Sequence, residues 1–164
     1  MKYLLLSLTV TWTAAYSLYS SACSFAPGYD TGAPPLAWID EPTEKPEKPD
    51  VTVESLKRGN DDGNYASCSD AGILTIAING TPYQSYFIEI VKGEFPDTVI
   101  PDHYISPITL KGGKAGFYFV WLDLPAGKQQ TKPIDVTLSV KQVSLRGIES
   151  EATMLHVTHD GTSQ

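Results

Sequence analysis

The chain has 164 residues, 19 of them acidic against 12 basic, for a formal charge of −7, with 41% hydrophobic residues and high Gly and Pro counts. This length suits one domain plus a tail. The acidic balance repels phosphate backbones and excludes nucleic acid as the expected partner; its plainest effect is solubility.

Residues 1–22 read as a cleavable signal peptide. Lys2 gives a positive start, Leu4, Leu5, Leu6, Leu8 and Val10 an apolar stretch, and Ser20-Ser21-Ala22 small side chains before the cut. Ser7, Thr9, Thr11, Thr13 and Ser17 interrupt the run, which argues against a membrane span of roughly 20 apolar residues. The expected destination is therefore export, to the periplasm or the medium. Removing Lys2 takes the formal charge to about −8.

Two cysteines follow, Cys23 and Cys68. In an oxidising compartment an even count favours a disulfide, and two cysteines allow one pairing. That bond closes a loop of about 46 residues and constrains the unfolded chain by about 4 kcal/mol at most. The competing reading lipidates Cys23, as in a bacterial lipoprotein, and only then is a membrane a partner. Ser21-Ala22-Cys23 fits such a signal, but Ser20 stands where a Leu-like residue is usual.

Residues 23–49 are expected as a Pro-rich, acidic, extended tail or spacer, with Pro42, Pro46 and Pro49 alternating with Glu41, Glu44, Lys45, Glu47 and Lys48. From residue 50 to 161 the texture changes to short strands between turn residues. Val51, Val53 and Leu56 begin a first strand, and a polar loop over 58–72 carries Cys68. Strands are expected at 73–79, at 84–92 with two-sided burial, at a short edge over 104–110, and at 115–122, again two-sided. Residues 134–143 alternate, with Val136, Leu138 and Val140 inward, and 151–159 supply the last strand. The total is seven strands, an all-β chain.

Pro49-Asp50-Val51-Thr52-Val53, Gly72-Ile73-Leu74-Thr75-Ile76, Tyr86-Phe87-Ile88-Glu89-Ile90 and Leu124-Pro125-Ala126-Gly127 resemble the successive pieces of a fibronectin type III or related immunoglobulin-like domain. The closing segment, with 144–150 between two strands, is similar to its last hairpin. The resemblance covers about residues 50–161 and implies a seven-strand immunoglobulin-like sandwich in an exported bacterial protein. Two departures stand out. Ile76, Ala77 or Ile78 occupies the place of the family's Trp, and Ile134 or Val136 that of its Tyr.

No nucleophile motif or phosphate-cradling loop is present, so no catalytic residue, cofactor or metal site is assigned. His156 and His159, three apart on a strand, point to opposite faces and suit one metal poorly. Asp61, Asp62, Asn64 and Asp70 match ordinary turn chemistry better than a calcium loop. Tyr83, Tyr104 and Trp121 are the candidate interaction surface, because they flank turns or a strand apolar on both sides. The expected function is an exported non-enzymatic binding or adaptor module of the cell envelope, with a protein or envelope component as partner. The alternatives are a lipid-anchored structural lipoprotein and, less favoured, a small metal-dependent hydrolase built on His156, His159 and Asp160.

Overall fold

The computed structural model describes residues 25–33, 35–36, 44–60, 62–65, 67–83, 85–95, 99–124 and 132–161. The expected signal peptide, 1–22, and Cys23 lie outside the described residues. Among the described residues nine strands form two antiparallel sheets. They are β1 (Asp30–Thr31), β2 (Val51–Lys57), β3 (Ala71–Ile78), β4 (Ser85–Lys92), β5 (Ile105–Ser106), β6 (Ile108–Thr109), β7 (Ala115–Leu122), β8 (Ile134–Val143) and β9 (Thr153–His159). One sheet has the order β2-β3-β7-β6 and the other β1-β5-β4-β8-β9. No helix among the described residues is long and apolar enough to cross a membrane.

Period-two alternation decides the long strands. Leu74, Ile76 and Ile78 of β3 and Phe117, Phe119 and Trp121 of β7 fill one inner face. Tyr86 and Ile88 of β4, Val136, Leu138 and Val140 of β8, and Leu155 and Val157 of β9 fill the other. Edge-on ring contacts join Tyr86 to Phe117 at 5.2 Å and Phe95 to Trp121 at 5.0 Å.

The expected two-sided burial of β4 and β7 is corrected. On β7 the outward Tyr118 and Val120 are half-buried and Leu122 is exposed. On β4 a register shift between Ile90 and Lys92 lifts the strand end, and Ile90 and Val91 meet solvent.

The expected strand over 104–110 is two strands. Pro107 has no N–H to continue a ladder, and there the chain changes sheets: β5 pairs with β4, β6 with β7. This split and the unforeseen β1 turn seven strands into nine.

Much of the expected spacer is docked on the sandwich. Gly28 and Tyr118 exchange backbone hydrogen bonds of 2.8 and 3.0 Å, Asp30–Thr31 pairs with β5, and the Leu36 N–H reaches the Leu145 carbonyl at 2.6 Å. Nearer β2, Thr153 Oγ1 donates to the Pro49 carbonyl.

Candidate functional site

The loop joining β2 to β3 is anchored by charge at its base. Arg58, the first residue after β2, and Asp123, the first after β7, are both buried. Arg58 Nε donates to Asp123 Oδ2 at 2.6 Å and Nη2 to Oδ1 at 2.9 Å, a two-pronged pairing of planar groups. Arg58 Nη1 also reaches the Lys132 carbonyl at 3.0 Å, and the Gly59 amide donates to Asp123 Oδ2 at 2.9 Å. Burial pushes the Asp123 carboxyl up. The hydrogen bonds from Arg58 and Gly59 and the guanidinium charge outweigh it, holding the group below the usual aspartate value.

The far side of the loop is fixed by a single 3-10 turn, Cys68–Asp70, closed by a capping box in which the Ser67 amide donates to Asp70 Oδ2 at 2.9 Å. Ser67 Oγ donates to Asp62 Oδ2 at 3.1 Å and the Asn64 amide to Asp62 Oδ1 at 2.9 Å. Hydrogen bonds from Ser69 and the Asn64 amide hold the exposed Asp62 carboxyl below its ordinary value. The Asp123 amide donates to the Asp70 carbonyl at 2.8 Å, tying both ends of the loop to the same residue. At the tip stands Tyr65, 81% exposed, the most exposed of the large hydrophobic side chains described. Spacing gave no warning of it: a lone aromatic in a run of Asp, Gly and Asn was the available signal.

Cys68 carries no free thiol. Cys23, the only other cysteine of the chain, lies outside the described residues.

The three aromatics expected as an interaction surface occupy three different settings. Trp121 is 3% exposed and belongs to the core, so it offers nothing to a partner. Its ring lies on Gly72 of the neighbouring strand, where a Cβ would meet Cε2 at 2.1 Å. The Trp121 Nε1–H has no hydrogen-bond acceptor of ordinary geometry, although the indole lies near enough to Asp123 to favour its ionised form. Tyr104 is half-buried and meets Phe87 edge-on at 5.9 Å. Tyr83 is half-buried, donates its amide to Tyr86 Oη at 2.9 Å, and lines an open groove of about 420 Å³ with Lys48, Asp50 and Asn79.

The histidines part as strand alternation requires. His156 is exposed on the outer face, with Nε2 2.7 Å from Asp135 Oδ1, while the largely buried His159 accepts from the Gly161 amide through Nδ1 at 3.0 Å. Among the described residues no group of three or more His, Cys, Asp or Glu stands close enough to hold a metal ion.

Models of known protein families, curated proteins and solved structures contain no match to this chain.

Proposed function

We propose that the chain is an exported, non-enzymatic binding module of the cell envelope, built on an immunoglobulin-like sandwich. The observation that carries this reading is Tyr65 at the tip of a loop held from both sides. A large amphipathic ring presented on a preordered loop gains contact area at little cost in ordering, as binding anchors do. The strand orders β2-β3-β7-β6 and β5-β4-β8-β9 support the immunoglobulin-like part: they are those of a sandwich whose fourth strand is shared between the sheets.

The test is retention of a component from the envelope fraction of the source cell on immobilised protein. The expected result is one component held by the wild type and lost with Tyr65→Ala, at unchanged thermal midpoint. A reproducible turnover by the purified protein, abolished by one point substitution, overturns the reading.

The same proposal pairs Cys68 with Cys23. Gly28 lies five positions from Cys23, and Tyr118 five positions from Asp123. Each stretch spans about 17 Å when extended. With Gly28 paired to Tyr118, the chain is therefore long enough to bring Cys23 beside the loop that holds Cys68. Lipidation needs a free Cys23, and the absence of a free thiol at Cys68 weighs against it. Mass spectrometry of the mature N-terminus decides between the two: a lipid mass on Cys23 removes the disulfide.

A further inference from the structure

The seam on the β5–β6 side of the sandwich is closed by a segment that precedes β2 in the chain. Because β5 leaves one sheet at Pro107 and β6 joins the other, β7 is paired with β6 only at Ala115 and Gly116. Its next open position, Tyr118, is taken by Gly28, and two residues later Asp30–Thr31 takes the open edge of β5. A five-residue segment, Gly28-Tyr29-Asp30-Thr31-Gly32, thus steps from one sheet to the other across the seam. Its last residue donates its amide to the Tyr104 carbonyl at 2.8 Å.

The slot is selective. A Cβ on Gly28 would come within 1.9 Å of the Tyr118 ring, and one on Gly32 within 2.7 Å of the Tyr104 backbone. Neither obstacle is the free end of a flexible side chain, so glycine is required at both ends. Between them Tyr29 packs on the core, 5.7 Å from the Phe119 ring centre and 6.4 Å from that of His103. Asp30 and Thr31 are both exposed, so the segment gains from them backbone pairing with β5 rather than side-chain burial.

From this geometry we infer that the seam is a peptide-binding slot for an extended Gly-Tyr-Xaa-Xaa-Gly segment, occupied in cis by residues 28–32 and open to the same sequence in trans. Main-chain pairing supplies affinity and the two glycine positions with the aromatic between them supply choice, the logic of strand addition at a sheet edge. The cis copy is favoured by tethering, which gives it an effective concentration of about millimolar order. A trans peptide therefore enters only when the cis copy is weakened. The slot is separate from the Tyr65 loop, so this inference and the proposed function fail independently.

The test uses the full chain and a labelled peptide of residues 25–36. Gly28→Val in the chain is expected to speed amide exchange at Tyr118 and Gly32 at least tenfold while β8 amides stay protected. That variant is expected to bind the peptide about tenfold or more tighter than wild type does. Peptides carrying Gly28→Val or Gly32→Val are expected not to bind, and Tyr65→Ala in the chain is expected to change nothing. If Gly28→Val unfolds the chain, Tyr29→Ala in the chain, which removes the ring that seats the cis copy on the core, serves as the second arm and is expected to take up the wild-type peptide. The inference is overturned if the folded variant refuses the wild-type peptide. It is equally overturned if both arms lose β8 protection together with Tyr118, or if a dimer forms that the peptide does not displace.

Discussion

Asp123 accepts from Arg58 Nε and Nη2 and from the Gly59 amide, while its own amide holds the Asp70 carbonyl. It joins the loop's two ends, alongside the Asn60 amide, which donates to the Ser69 carbonyl at 2.7 Å. Asp123→Asn keeps the shape and leaves a buried guanidinium without a counter-charge, which costs roughly 3–5 kcal/mol. The measurement is the urea midpoint at neutral pH. Acidification gives the sign. The folded carboxyl titrates below its ordinary 3.8, so the pair contributes fully above that value and loses its contribution as pH falls through the lowered one. The gap between wild type and Asp123→Asn is therefore expected to be flat from pH 7 to about pH 5 and to shrink below about pH 4. A gap that widens on acidification would refute the assignment. Tyr65→Ala touches none of this and is expected to shift stability by no more than about 0.5 kcal/mol.

Between elements, Gly72 of β3 faces Trp121 of β7 across the ladder. The indole covers the glycine so closely that a methyl group there would sit 2.1 Å from ring carbon. Gly72→Ala is expected to cost about 1–3 kcal/mol by overpacking. Gly72→Ala in a Trp121→Phe background is expected to cost clearly less, because the two changes share one space. Equal costs in both backgrounds, read from a double-mutant cycle, would show that the contact does not limit the packing. This pair also marks what the sequence makes legible. The stretch 134–140 of β8 follows from alternation alone, since Ile134, Val136, Leu138 and Val140 are apolar and buried, whereas the pattern breaks at Gln142, opposite Tyr86. Trp121 looks like a surface aromatic until its partner across the ladder is known, and a cross-strand partner is a long-range fact. The sheet change at Pro107 was half visible: proline marks the break, but not which sheet receives the next residues. β1 was invisible, because two exposed residues carry no period. The Tyr65 loop was hidden for a similar reason: its anchoring combines local bonds among Asp62, Ser67 and Asp70 with the bond between Asp70 and Asp123, 53 positions apart in sequence.

Across the whole molecule, the N-terminal segment is a strap. It is paired with β7 at Gly28 and with β5 at Asp30, touches the β8–β9 connection at Leu36, and reaches β9 through Pro49. A bond between Cys23 and Cys68 would fasten its leading end to the same loop that Arg58 and Asp123 anchor. Two consequences can be separated. The disulfide acts on the unfolded chain, where closing about 46 residues restricts the ensemble by about 4 kcal/mol at most. The strap acts on the folded state, through its backbone pairs and the burial of Tyr29. Reduction is therefore expected to lower the stability of the wild type by up to about 4 kcal/mol while leaving Tyr29 seated at low temperature. Cys23→Ser and Cys68→Ser are each expected to reproduce the reduced wild type and to be insensitive to reductant. Urea midpoints with and without reductant make the comparison. If Cys68→Ser destabilises the oxidised protein and Cys23→Ser does not, Cys68 has another partner and the strap is held at its leading end by something other than this bond.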